Sequence, residues 1–360
     1  MSVPAEAWVH NLSPFLWQFS PGMGLRWYGI SYVLGFVVAY ALLTRLAKQS
    51  RSPLPAFKVA DAMLMLIVGV IVGGRLGYVI FYDHTALWTF TKSVPFWELL
   101  NLARGGMAYH GALIGVFLAS LLVHRKHCAK GSPWSALADV LALACTIGLG
   151  LGRLANFVNG ELLGKVVAQP GETSPWWSIK FPQELLSGHA PTLTEQQRVQ
   201  LEGVLVRHTM PSDAGDLGLA ADRLIATIQR GGATGAQAAK DIAPLLAARF
   251  PSQLLQAFFE GVVLTLVLWG AWWWMRRARA GDSQPSMTKP SMPKPGVIAG
   301  LFVLVYGVLR IIAEFYRLPD AQLGAFALGL SRGQWLSVLM VVIGAAWIVR
   351  AQRRARALLV

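Results

Sequence analysis

The sequence predicts an all-α integral membrane protein with seven transmembrane helices, its N-terminus outside and its C-terminus cytoplasmic, and an external arm or head between spans four and five. Three observations predict it. The 360 residues are 54% hydrophobic and only 14% charged. The apolar runs reach the roughly 20 residues that a helix needs to cross a hydrocarbon core about 30 Å thick. The basic residues collect in the connections between those runs. A membrane barrel would need short segments of alternating polarity instead.

Hydropathy and breaker residues place the spans at about 27 to 46, 59 to 81, 108 to 124, 134 to 157, 252 to 274, 297 to 316 and 333 to 350. Arg45, Lys48 and Arg51 follow the first span, and Arg125, Lys126 and Lys130 the third. Arg276, Arg277 and Arg279 follow the fifth, and Arg350, Arg353, Arg354 and Arg356 the last. All four clusters fall on one side, which the positive-inside rule makes cytoplasmic. A net charge of +14 would point to nucleic acid in a soluble protein; here it reads as a topology signal, and no nucleic-acid partner is expected.

The chain divides into membrane spans one to four (1–164), the external arm or head (165–250), which is too polar to span, and spans five to seven (251–360). Residues Gly281 to Pro295 form a Pro/Ser/Lys linker on the cytoplasmic face. The first basic side chain is Arg26, so no signal peptide is expected, and Trp8, Phe15, Trp17 and Phe19 read as interfacial anchors. Cys128 and Cys145 offer neither a disulfide framework nor zinc spacing. No metal and no cofactor are expected.

Polar residues gather at the predicted outer ends of the spans. In "GRLANFVNGELLG" (152–164), Arg153 and Asn156 share a helix face. Asn159 and Gly160 form a helix stop, and Glu161 and Gly164 follow on irregular backbone. In "YGVLRIIAEFYRLPDAQ", Tyr306, Arg310, Glu314 and Arg317 make one stripe. His110 opens the third span within "GGMAYHGALIG", where Gly105, Gly106, Gly111 and Gly115 could equally serve close helix packing. Tyr28 lies in "RWYGISY", and Arg75 and Tyr78 in "GGRLGYVIFY". Singly, each has an ordinary reading as a snorkelling arginine, a self-neutralising Arg–Glu ladder or an interfacial aromatic. Together, five spans deliver ionisable or amide groups to one side, where charge at membrane depth is costly. The expected object is a net-positive cavity open to the outer leaflet, suited to a phospholipid headgroup whose phosphate guanidiniums grip.

These motifs, with "SRGQWLS" near the end, resemble the prolipoprotein diacylglyceryl transferases of bacteria. The match covers nearly every span in order, and the signature G-R-x-G-N-F-x-N-x-E-x-x-G departs only at Ala155. The resemblance implies transfer of the sn-1,2-diacylglyceryl group of phosphatidylglycerol to the lipobox cysteine thiol of a prolipoprotein. The products would be a thioether and glycerol phosphate, the first step of lipoprotein maturation. It also implies residence in the bacterial inner membrane, a site facing the outer leaflet on the periplasmic side, and membrane lipid and the lipobox peptide as partners. Carried over by position, the family's important residues are Tyr28, His110, Arg153, Asn156, Glu161, Gly164, Arg310 and Glu314. The sequence departs from the family's common His-Pro-Ser-Gln-Leu-Tyr-Glu run with "FPSQLLQ", placing Phe250, Leu255 and Gln256 where His, Tyr and Glu are usual. The external arm is also longer than usual.

For that chemistry, His110 is the candidate base for the substrate thiol, although a histidine that only positions a lipid oxygen fits the same pattern. Arg153 and Arg310 would hold the phosphate and stabilise its developing charge. Asn156 and Tyr28 would bond glycerol or phosphate oxygens, and Glu161 and Glu314 would orient the arginines. A transporter for an anionic substrate is the rival class, but a transporter should carry polar groups along its whole path. A catalytically impaired relative that binds phospholipid or precursor is the third reading, with Phe250 and Ala155 as its support.

Overall fold

A computed structural model describes residues 7–20, 23–92, 94–101, 105–188, 190–208, 216–280, 294–318 and 332–357. The 281–293 part of the expected linker, the segment 319–331 that follows the Tyr306 stripe, and Ser331 of "SRGQWLS" lie outside the described residues. The fold is mostly helical. Six helices are long and apolar enough to cross a membrane: α1 (Trp27–Lys48), α2 (Val59–Phe81), α4 (Trp134–Asn159), the run beginning with α8 (Ser252–Ala257) and continuing into α9 (Leu264–Ala280), α10 (Val297–Glu314) and α11 (Arg332–Ala357). The third expected span is the 19-residue helix α3 (Tyr109–His127), which ends in His124, Arg125, Lys126 and His127 and is not among the six.

The chain forms two compact units. One comprises Met1–Gly35, Thr146–Val267 and Val303–Gly344. In it, strands β1 (Trp8–Val9), β4 (Val166–Ala168), β5 (Ile179–Lys180) and β6 (Ala248–Arg249) make a sheet of order β1-β5-β6-β4. Only β1 and β5 run parallel. A separate antiparallel hairpin joins β2 (Phe15–Ser20) to β3 (Met23–Arg26). The four strands of the sheet are unexpected from the sequence, because two- and three-residue segments carry no period-2 signal and are made by partners far away in the chain.

The polar stretch between α4 and α8 folds as three short helices, α5 (Glu195–His208), α6 (Leu217–Arg230) and α7 (Gly232–Ile242). Asp216 caps α6 by accepting from the Leu219 amide at 3.0 Å, and Ala220, Ala221, Leu224, Ile225 and Ile228 form its buried stripe. That stripe packs with Val204, Leu205, Ala238, Ile242, Leu245 and Leu246. Beside it, Glu184 and Arg249 make a fully buried ion pair. The Ala247 amide also donates to Glu184 at 2.9 Å. Burial pushes the Glu184 carboxyl up from its usual range, against the opposing pull of Arg249.

The other unit comprises Phe36–Cys145, Leu268–Phe302 and Ala345–Val360. Its central contact is α2 on α3, where Gly69, Gly73 and Gly77 face Gly111, Gly115 and Ala119. A Cβ on Gly73 would come within 2.4 Å of the Gly111 carbonyl oxygen, so small residues are what let the two backbones touch. Of the four glycines expected to serve close helix packing, Gly111 and Gly115 do so, whereas Gly105 and Gly106 lie before α3 with φ +81° and +78° and make no helix–helix contact.

Arg75 is also accounted for in this unit. Its guanidinium donates to the carbonyls of Leu99 (2.7 Å), Gly105 (2.9 Å), Gly106 (3.1 Å) and Glu98, and it lies over the Tyr78 ring. It therefore ties down the segment leading into α3, where Gly106 has φ +78° and no room for a side chain. Asp139, an acid inside α4, accepts from the Gly296 and Ala299 amides at 2.7 Å each and so caps the start of α10.

Candidate active site

The signature segment begins on the last turns of α4. Three-residue spacing puts Arg153 and Asn156 on one face, and both are largely buried. The helix stops at Asn159, and the chain turns through Gly160 (φ +67°) and Leu162 (φ +55°). Gly160 lies against the Gln183 side chain, so a Cβ there would collide with it. In the turn, the Glu161 amide donates to the Asn156 carbonyl at 3.0 Å, while the exposed Glu161 carboxylate accepts from Asn159 Nδ2 at 3.1 Å.

The buried polar pair of "FPSQLLQ" holds this turn from outside. Ser252 Oγ donates to the Leu162 carbonyl at 3.0 Å, and Gln253 Nε2 donates to the Glu161 carbonyl at 2.5 Å. Gly164 then pairs with Arg317 in an isolated antiparallel bridge. Its Cα faces the Phe250 carbonyl so closely that a Cβ would lie 2.0 Å from that oxygen. Gly164 thus serves as a backbone joint between three segments. Arg317, the last residue of the expected stripe, is buried at this joint.

Beyond Gln253, α8 gives way to a π-helical turn at Phe258–Val263. This turn carries Glu260, a buried carboxylate that accepts from Arg153 Nε at 2.9 Å. The Tyr306 hydroxyl, delivered by α10, also bonds Arg153. One turn further along α10, Arg310 Nη1 lies 3.9 Å from the second oxygen of Glu260 and 3.5 Å from Gln256 Oε1, which accepts from it. Arg310 Nη2 lies 3.9 Å from Glu314. Of the expected stripe, Tyr306 therefore meets Arg153, Arg310 shares Glu260 with it, and Glu314 pairs with Arg310. Tyr28, on α1, meets Tyr32 edge-on at 5.2 Å and feels the charges of Glu161 and Arg153.

Tyr28, Arg153, Asn156, Glu161, Gly164, Arg310 and Glu314 all belong to one compact unit. His110, exposed as the second residue of α3, belongs to the other. The orienting role expected of the two glutamates is divided differently from the expectation. Glu314 faces Arg310, but the carboxylate on Arg153 is Glu260, while Glu161 engages Asn159. Sequence reasoning passed over Glu260. The available signal was that it is the only acid within the fifth expected span, and an acid at membrane depth demands a partner. Among the described residues, no group of three or more His, Cys, Asp or Glu could hold a metal ion.

Residues 14–350 match the family model described as prolipoprotein diacylglyceryl transferase. The chain belongs to this family. It is 39% identical to a phosphatidylglycerol--prolipoprotein diacylglyceryl transferase of Bdellovibrio bacteriovorus, over 93% of this chain and 92% of that protein. A protein of the same name from Geobacter sulfurreducens is 34% identical over 91% and 92% of the two chains. A third, from Neisseria gonorrhoeae, is 33% identical over 95% and 96%. Within this family, the departures at Phe250 and Ala155 are accommodated by packing. Phe250 packs tilted against Tyr316, ring centroids 4.7 Å apart, and meets Trp177 edge-on at 5.6 Å, and Ala155 is buried.

Proposed function

We propose that this protein transfers the sn-1,2-diacylglyceryl group of phosphatidylglycerol to the lipobox cysteine of prolipoproteins. The observation that carries the proposal is the convergence of Arg153 and Arg310, from separate helices, on Glu260, with Tyr28 within reach of the Arg153 charge. Two guanidiniums at one point fit a phosphate diester, and relatives named for phosphatidylglycerol cover more than 90% of the chain.

In the reaction, the lipobox sulfur forms a bond to the glyceryl carbon as that carbon's bond to the phosphate oxygen breaks. The electron pair of the broken bond leaves on glycerol phosphate. A thiol near its unperturbed pKa of about 8.5 is mostly protonated at neutrality, so its proton must pass to a base, and His110 is the proposed acceptor. Arg153 and Arg310 hold the phosphate and meet the charge that grows as it departs, which lowers the barrier only if they are aimed before the reaction begins. Asn156, buried beside Ala155 on the last turns of α4, and Tyr28 bond the headgroup oxygens. Glu314 orients Arg310. The Glu161 to Gly164 turn closes one wall of the site.

The membrane reading extends the six apolar helices to seven spans by adding α3. The N-terminus is then outside, the basic clusters lie in the cytoplasm of a bacterium, and the site opens to the outer leaflet of the inner membrane. Residues 165–250 form the external head, between membrane parts 1–164 and 251–360. The test is incubation of the purified protein with phosphatidylglycerol vesicles and a lipobox peptide. The cysteine peptide should gain a diacylglyceryl thioether, and a serine counterpart should not. Lipid binding without any modification of the cysteine peptide would contradict the proposal.

A further inference from the structure

The span that starts at Ser252 is not a uniform α-helix. A π-turn weakens hydrogen-bond geometry and is commonly kept where side chains must be re-aimed, often at functional sites. At this turn, Gln256 and Glu260 stand four residues apart, 1% and 2% exposed although both are polar. Glu260 offers one oxygen to Arg153 at 2.9 Å and the other to Arg310 at 3.9 Å, a distance at which charges attract without a hydrogen bond.

Gln256 faces Arg310 with its carbonyl oxygen. That orientation is dictated by its neighbour, since a guanidinium has donors only. The carboxamide nitrogen of Gln256 is consequently buried with no hydrogen-bond partner among the described residues. A buried donor left unpaired is costly, and this one sits beside an arginine whose protein contacts run from 3.5 to 3.9 Å. An unmet amide donor beside a guanidinium held at these distances by the described residues points to an anionic acceptor from outside the chain.

We infer that Glu260 is the positioning residue that holds Arg153 and Arg310 as one anion-binding pair, and that the Gln256 carboxamide nitrogen is the third donor to the anion they hold. The inference rests on the transferase reading and names parts of the same site. Glu260 acts through the arginines: it fixes the Arg153 fork directly and draws the Arg310 guanidinium toward the same point. Gln256 acts on the lipid phosphate, where an amide donates and a carboxylate would repel.

The test measures transfer by the full-length protein as a function of phosphatidylglycerol concentration, with membrane insertion and thermal midpoint followed in parallel. Glu260→Gln keeps the shape and removes the charge, and kcat should fall by about 10² or more, the scale of losing one aligned electrostatic contact. Glu260→Asp keeps the carboxylate one methylene short of both arginines and should lose only about tenfold in kcat. Gln256→Met should raise KM for phosphatidylglycerol about five- to tenfold with kcat nearly unchanged, as expected for one lost hydrogen bond. If Glu260→Gln fails to insert, Glu260→Asp replaces it, with about a tenfold fall in kcat expected.

Transfer within threefold of wild type for the Glu260→Gln variant, or a Glu260→Asp variant no more active than Glu260→Gln, overturns the positioning role. An unchanged KM for Gln256→Met overturns the third donor. A wild-type protein that never transfers lipid would sink the transferase reading by itself. Short-chain phosphatidylglycerol binding then decides the inference: weakening of about fivefold or more by Gln256→Met supports it, and unchanged binding overturns it.

Discussion

Replacing Arg153 by lysine keeps one positive charge in the cluster and removes the planar fork. In the structure, Arg153 Nε reaches Glu260 at 2.9 Å with only 16% of its side chain exposed, and the Tyr306 hydroxyl takes a further guanidinium bond. An ammonium cannot keep both contacts and also present two parallel N–H groups to a phosphate. A charge-assisted hydrogen bond is worth about 1.5–3 kcal/mol. Losing one bond and the aim of the remainder should remove about 2–4 kcal/mol of transition-state stabilisation, or ~30- to 10³-fold in rate at 1.36 kcal/mol per decade. Arg310→Lys should fall in the same range. Because Glu260 contacts both arginines, the double variant should lose less than the product of the single losses. The assay is thioether formation by each variant, normalised to inserted protein. Near-wild-type rates in both single variants would refute the phosphate clamp, and strictly multiplicative losses would refute the shared carboxylate.

His110→Gln keeps hydrogen bonding without useful basicity and should slow transfer by about 10² to 10⁴. Raising the pH toward the thiol pKa should restore part of the loss, and a near-normal rate at neutral pH would remove the base role. For topology, with Cys128 replaced by serine, a cysteine at the exposed position Glu202 should react with an impermeant reagent on intact cells, and one at Lys130 should not; the reverse pattern would turn the site to the cytoplasm. His10 is fully buried, with Nε2 on the Phe157 carbonyl at 2.9 Å and Nδ1 accepting from Gln183 at 3.1 Å, and burial holds its pKa down at about 4. The unfolded histidine binds a proton near pH 6.5 and the folded one does not, so its part of the stability is intact above about pH 6.5. That stability is lost as pH falls toward 4, by about 3 kcal/mol in all. His10→Gln should flatten this fall in a melting series, and an identical pH profile would show that His10 does not set it.

The long helices were legible because apolar run length is a one-dimensional property. Expected and observed helices agree within a few residues for α1, α2, α3 and α4, and α4 ends where Asn159 and Gly160 place a stop. Long-range satisfaction was not legible. Arg75 looks in sequence like Arg153, an arginine after a small residue near a helix end. One spends its guanidinium on loop carbonyls 23 to 31 residues later and the other meets a carboxylate 107 residues away. Asp139 and Glu260 are likewise both single acids in apolar helices, but Asp139 caps a helix and Glu260 gathers arginines. Hydropathy also treats the fifth expected span as unbroken, whereas the π-turn at Phe258–Val263 interrupts it.

The central claim is that the Arg153–Arg310 cluster belongs to a site where sulfur displaces phosphate from a glyceryl carbon. The most direct measurement follows both products together, using phosphatidylglycerol labelled in its headgroup glycerol and a lipobox peptide analysed by mass. Each peptide that gains the diacylglyceryl mass should be matched by one labelled glycerol phosphate, and an Arg153→Lys, Arg310→Lys double variant should lose both products in step. Peptide modification without glycerol phosphate, or glycerol phosphate released at the same rate without peptide, would contradict the account.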